Sequence, residues 1–145
     1  MMEIMTMGKV SVSARIENLQ DTYETEKGVR PAGDVRAVDV TDALVDTGAT
    51  MLSIPRRLIA QLGLTRRRTR TARTAAGVIS FGIYGAVRVI VQGRDCIVEA
   101  AEIPDECPVL IGQIPLEGLD FVVDPVGQRL IGNPDHGGEQ MIDMF

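Results

Sequence analysis

Ala43-Leu44-Val45-Asp46-Thr47-Gly48-Ala49 is the stretch from which the rest of the chain is read. An apolar run delivers a carboxylate, a hydroxyl follows, and then comes a residue with no side chain. A carboxylate in apolar surroundings has its charged form disfavoured, so it needs partners. The Thr47 hydroxyl is able to hydrogen-bond within such a site, and Gly48 lets backbone approach closely and turn away tightly. Alone, Asp-Thr-Gly is also a turn tripeptide. Its surroundings separate the two readings: a second apolar stretch, Met51-Leu52-Ser53-Ile54, follows at once, and Leu110-Ile111-Gly112 repeats the hydrophobic-hydrophobic-Gly pattern downstream.

Outward from this stretch the chain reads as short strands and turns. Lys9 to Ile16 alternates apolar and polar residues, as a half-buried strand does. Asn18 to Asp34 is polar, carries Gly28, Pro31 and Gly33, and reads as a long surface loop. Strands are expected at Val35–Val40 and at Ala43–Val45. Past Ile54, Pro55 stands at a preferred first helical position, Leu58, Ile59 and Leu62 share one face, and Gly63 is placed as the stop. Leu64 to Phe81 is polar and rich in Arg and Thr. Strands at Ile83–Val91 and Cys96–Ile103 are joined through Gln92-Gly93-Arg94-Asp95, with Gly93 expected at the first central position of a tight turn. Pro108–Ile111 is a short buried run, and Gln113–Leu119 is expected to make one or two helical turns. Phe121–Val123 and Arg129–Ile131 read as a hairpin around Pro125 and Gly127. The Gly-rich tail from Gly132 is expected to pack poorly until Met141–Phe145.

Composition agrees with a single domain. The 145 residues fit one unit, with a core over about 9–132 and a tail over 133–145. Hydrophobic residues make up 45%, aromatics only 3% with no Trp, so the core must be aliphatic; 15 Gly and 7 Pro break it into short runs. A net charge of -5 does not suit a protein that coats nucleic acid or an anionic membrane. No apolar run approaches the roughly 18 residues of a membrane helix, and Met1–Gly8 lacks the basic-then-apolar order of a signal peptide. Cys96 and Cys107 are too few for a disulfide framework and lack zinc-site spacing, so buried, reduced thiols and a cytoplasmic location are expected.

Leu44-Val45-Asp46-Thr47-Gly48-Ala49, with Leu110-Ile111-Gly112 downstream and a Gly-containing hairpin between, resembles the retropepsin-like aspartic peptidases, in particular their small single-domain prokaryotic members. The resemblance runs over about residues 9 to 132. It implies an all-β fold, a closed acid-protease barrel with one or two short helices, working as a two-fold homodimer. It implies Asp46 as the catalytic carboxylate, Thr47 as the hydroxyl bracing the two active-site loops, and Gly48 and Ala49 as the floor of the site. The segment from about Thr71 to Phe81 becomes a flap over the substrate, with Ala75, Ala76, Gly77 and Val78 at its tip as substrate-binding residues. Terminal segments join the dimer sheet. The implied partners are a second copy of the chain and a peptide or protein substrate, with no metal, cofactor, nucleic acid or membrane.

The chemistry asks for a pair in its own right. Two carboxylates about 3 Å apart share one proton, so that one accepts a proton from water while the other donates to a carbonyl oxygen. No second Asp-Thr-Gly or Asp-Ser-Gly occurs in the chain, and Asp120, Asp124 and Asp143 lack the following pattern. A homodimer supplies the second acid. Two other functions compete with hydrolysis. One is a non-catalytic dimerisation or peptide-binding module of the same fold. The other is nucleic-acid binding by Arg56, Arg57, Arg66, Arg67, Arg68, Arg70 and Arg73, which no acidic residue interrupts between Asp46 and Asp95. The arginines lack interleaved aromatics, which favours a solvated stripe over a stacking platform. His136, in the Gly-rich tail, has no Ser or Cys in a catalytic pattern and is expected to be inert.

Overall fold

Strand β1 (Val10–Asn18) buries Val10, Val12, Ala14 and Ile16 and turns Ser11 and Ser13 to solvent, the period of two expected from the sequence. The computed structural model describes residues 10–144, so the readings of Met1–Gly8, Lys9 and Phe145 lie outside the described residues. The main sheet contains β1, β2 (Ala37–Val45), β3 (Leu52–Pro55), β4 (Thr65–Thr74), β5 (Gly77–Val91), β6 (Arg94–Ile103) and β7 (Leu110–Ile111). Its order is β1-β2-β7-β3-β6-β5-β4, and β1 pairs with β5 as well as with β2. That extra pairing carries the sheet back to its first strand and leaves β4 alone outside the ring. Closure pairs β1 on both sides, leaves β4 with a free edge, and gives the aliphatic side chains one shared interior. A separate hairpin, β8 (Phe121–Asp124) with β9 (Arg129–Gly132), follows.

The interior is aliphatic, as the composition requires. Ile16, Leu52, Ile54, Leu62, Val87, Val89, Ile111 and Leu119 are buried together, and Phe121 is the aromatic among them. Helix α2 (Arg56–Leu62) presents Leu58, Ile59 and Leu62 to this core and ends at Gly63, whose φ of 63° is the left-handed cap predicted for it. Helix α3 (Gln113–Leu119) buries Pro115, Leu116 and Leu119. Among the described residues no helix is long and apolar enough to cross a membrane.

Four local expectations are corrected. Asn18–Asp34 is not a long loop: Leu19–Glu26 is a helix, α1, so there are three α-helices rather than one or two. Its sequence is polar, and its stability comes from fixed partners. The Asn18 side chain accepts from the Asp21 N–H as an N-cap and donates to the Leu62 carbonyl at 2.9 Å, tying α1 to the end of α2. Asp21, fully buried, accepts from the Arg36 backbone and from its guanidinium at 2.8 and 2.9 Å, with Arg30 at 3.2 Å. The two strands expected at Val35–Val40 and Ala43–Val45 are one strand, β2, which begins only at Ala37, because Thr41 and Asp42 continue the extended backbone with exposed side chains. In the β5–β6 turn Gln92 and Gly93 both have positive φ, 49° and 80°, so Gly93 is the second central residue of the primed turn that suits strand twist.

The tail is also more tightly held than its glycines suggest. His136 Nδ1 lies 2.6 Å from Asp120 Oδ2, and its Nε2 lies 3.1 Å from Asp143. The Met141 N–H donates to the same Asp120 carboxylate at 3.1 Å. Arg94, stacked 4.4 Å from the Phe121 ring centroid, donates to the carbonyls of Leu119, Asp120 and Gly138.

The Arg36 guanidinium holds the Asp21 carboxyl below the ordinary carboxylate range. A lowered folded value means that this contribution is fully present above the unfolded aspartate value and is lost as pH falls through the folded one. Asp21→Asn is expected to destabilise the fold by about 2–4 kcal/mol at neutral pH, since it breaks a buried ion pair. The loss should shrink as pH falls below about 4, the aspartate reference value. Denaturant titrations at pH 7 and pH 3 check both statements; an equal difference at the two pH values would refute them.

Candidate active site

Strand β7 holds both ends of the Asp46 loop. It pairs parallel with β2, Leu44 opposite Leu110 and Val45 opposite Ile111, and antiparallel with β3, Leu52 opposite Ile111. The Leu44 N–H donates to the Val109 carbonyl at 2.8 Å and the Asp46 N–H to the Ile111 carbonyl at 3.0 Å. The chain therefore leaves on one side of β7, passes over Gly112, and returns on the other side as β3. The start of α3 then secures the loop. Its Gln113 and Ile114 N–H groups donate to the carbonyls of Ala49 and Thr50, each at 2.9 Å, and Gln113 Nε2 donates to the Thr47 carbonyl at 3.1 Å. First-turn amides that a helix leaves unpaired are used here to hold a loop.

Gly112 is required by contact. A Cβ there would lie 2.5 Å from the Met51 carbonyl oxygen and 2.7 Å from that of Ala49. Its φ of -90° is open to any residue, so the need for glycine is steric.

Within the loop, Asp46 is half-buried, while Thr47 and Gly48 are exposed. Asp46 Oδ1 accepts from the Gly48 N–H at 3.0 Å, which closes a side-chain turn and aims the carboxylate. A Cβ on residue 48 would stand 3.3 Å from that oxygen, so Gly48 keeps the carboxylate uncrowded. Among the described residues the Asp46 carboxylate has no second hydrogen-bond donor, and the Thr47 hydroxyl has no partner.

The ribbon of β4 and β5 stands beside the loop. Thr74 pairs with Gly77 at its tip, Ala75 and Ala76 form the turn, and Val78 is 71% exposed. A cleft of about 550 Å³ opens between loop and ribbon. Ala49 and Thr50 line it on the loop side, Arg70 and Phe81 on the ribbon side, with Ile97 of β6 and Ile114 of α3. Asp46, Thr47, Gly48 and Ala49 are thus brought together in one loop, and Ala49 also reaches the cleft. Ala75, Ala76, Gly77 and Val78 lie at the ribbon tip, outside the cleft lining. Sequence reasoning missed Gln113 and the cleft walls. Gln113 follows Leu110-Ile111-Gly112 directly, which was a usable signal; Ile97 and Ile114 carried none.

Nothing else in the described chain competes as reactive chemistry. Cys96 is half-buried, and burial, with Asp95 nearby, pushes its thiol up to about 11, leaving it protonated at neutral pH. Among the described residues no group of three or more His, Cys, Asp or Glu is arranged to hold a metal ion.

The sequence model of a family described as gag-polyprotein putative aspartyl protease matches residues 36–121, from just before β2 to the start of β8. That span contains Asp46, the ribbon and Gly112. The chain belongs to this family of retropepsin-like aspartyl protease domains. No curated protein matches the chain.

Gly112→Ala must push the Ala49–Met51 backbone away, since the added methyl meets carbonyl oxygens rather than a movable side chain. The expected loss of stability is about 1–3 kcal/mol, the range for overpacking a tight contact. Urea denaturation reads it; an unchanged midpoint would show that the loop is not held as described.

Proposed function

We propose that this member of the aspartyl protease family is a homodimeric endopeptidase whose catalytic pair is Asp46 with Asp46 of the partner subunit. The observation that supports it most is the loop itself. Two strands and a helix N-terminus fix a single carboxylate on an exposed turn, with one donor of its own. A lone carboxylate so placed is half of an acid–base pair.

In the paired site the two carboxylates share one proton, because like charges so close do not both ionise. The unprotonated oxygen takes a proton from a water lying between the pair. That water attacks the peptide carbonyl carbon as the other carboxyl protonates the carbonyl oxygen. The tetrahedral diol then collapses: the C–N bond breaks, the leaving nitrogen receives the proton taken from water, and a diol hydroxyl returns its proton to the other carboxylate, which restores the shared proton. No covalent intermediate forms and no step calls for a metal or cofactor. The free Thr47 hydroxyl braces one loop against the other across the two-fold axis, and Gly48 and Ala49 floor the site. The ribbon tip, Ala75 to Val78, closes over a bound peptide. Free Cys96 and Cys107 fit a reducing compartment such as the cytoplasm.

Asp46→Asn keeps the side chain's shape and its turn but removes the acid. Turnover of a peptide library is expected to fall by on the order of 10³-fold or more, with the fold intact by circular dichroism. Equal cleavage by both proteins would refute the assignment. Specific activity should also drop on dilution, since a monomer holds half a site, and sedimentation should show dimer loss over the same range. Activity constant down to concentrations where only monomer sediments would rule out a shared site.

A further inference from the structure

The cleft beside the Asp46 loop has a charge that neither hydrolysis nor folding explains. Its lining carries two arginines, Arg68 and Arg70, against one acid, Glu99. Arg68 grips Glu99 with two bonds, at 3.1 and 2.5 Å, so those two charges cancel in a planar fork. Arg70 is the cation left over, and it has no acidic partner among the described residues. It sits on β4 in register with Phe81 of β5, which also lines the cleft. The same lining holds Ile97 and Ile114, large aliphatic side chains 52% and 49% exposed although they face a concave surface. Such a wall is completed by an apolar group from outside the chain.

The geometry points to Arg70 as a specificity determinant: the cleft selects peptides that carry an acidic side chain next to an aliphatic one. The inference rests on the peptidase reading, and it names the substrate class for that same site. The wider charge distribution supports it. Arg66, Arg67, Arg68, Arg70 and Arg73 all lie on β4, and no acidic residue stands between Asp46 and Asp95, within a chain of net charge -5. A positive ribbon on a negative molecule draws an acidic segment to the ribbon and away from the rest of the surface. In a two-fold dimer the preference appears twice, at equal spacing on either side of the scissile bond, because each subunit contributes one Arg70. Nucleic acid fits less well, since Phe81 alone of the cleft lining offers a ring for stacking.

The test measures binding and cleavage separately. Fluorescent peptides containing Glu beside Leu, and their Gln twins, are titrated into the Asp46→Asn protein and into the same protein carrying Arg70→Gln or Arg70→Glu. The Glu peptide is expected to bind about tenfold tighter than its twin, a ratio that falls toward one with Arg70→Gln and inverts with Arg70→Glu. Arg73→Glu, the same change of charge outside the cleft lining, should leave the ratio above one. No discrimination between Glu and Gln, a ratio that responds equally to Arg73 and Arg70, or displacement of the peptide only by an oligonucleotide would each overturn the inference. Wild-type cleavage of the same peptides keeps the two readings apart. Cleavage without Glu preference sinks the acidic selection alone, and Glu-selective binding without any cleavage sinks the peptidase alone.

Discussion

The position of Asp46 depends on one packing constraint, the passage of the 46–51 loop across Gly112. Strand β7 has only two residues, yet it pairs with β2 on one side and β3 on the other. The loop between those strands must therefore pass over the backbone that follows β7. A side chain at residue 112 would occupy the space of the loop's own carbonyl oxygens. With glycine there, the amides of Gln113 and Ile114 come close enough to hold those carbonyls, and the loop becomes part of the barrel wall. The half-buried carboxylate is then borne by backbone anchored on three sides, the preorganisation that acid–base chemistry needs.

Strand β5 supplies the contrasting part of the design. Its first six residues, Gly77 to Gly82, pair only with β4 and are mostly exposed, whereas Ile83 to Val91 pair with β6, and in part with β1, over the core. One continuous strand is thus anchored in the interior at one end and stands in solvent at the other. Local stability follows buried contact, so the ribbon tip is the easiest part of this strand to displace and the barrel end the hardest.

What the sequence revealed, and what it withheld, divides by the range of the interactions. The Asp46 loop, α2 with its Gly63 stop, α3 and the two later hairpins were legible because each is written in neighbouring residues: an apolar period, a cap, a turn pair. Helix α1 was not, since its residues are polar and its support comes from Arg36, fifteen positions beyond Asp21. The primed turn at Gln92-Gly93 was legible as a turn but misread by one position, because which residue takes positive φ depends on the register of β5 against β6. The closure of β1 on β5 and the walls of the cleft join residues far apart in the chain, and no local pattern announces them. The pairing of His136, expected to be inert, with Asp120 was not legible for the same reason: the two lie sixteen residues apart and meet only through the tertiary structure.

That His136–Asp120 contact bears on the conditions under which the molecule is best organised. Its hydrogen bond to Asp120 raises the imidazole above its ordinary range, and the same bond lowers the carboxyl of Asp120. The histidine contribution is complete below the unfolded imidazole value and fades as pH climbs through the raised one. The aspartate contribution is complete above the unfolded carboxyl value and fades as pH drops through the lowered one. Both hold together between about pH 4 and 6.5, set by the ordinary values of the two groups. The clamp also receives the Met141 N–H, just ahead of the exposed apolar residues Ile142 and Met144. The order of the tail is thus coupled to pH through one hydrogen-bonded pair, Asp120 with His136, far in the chain from the Asp46 loop.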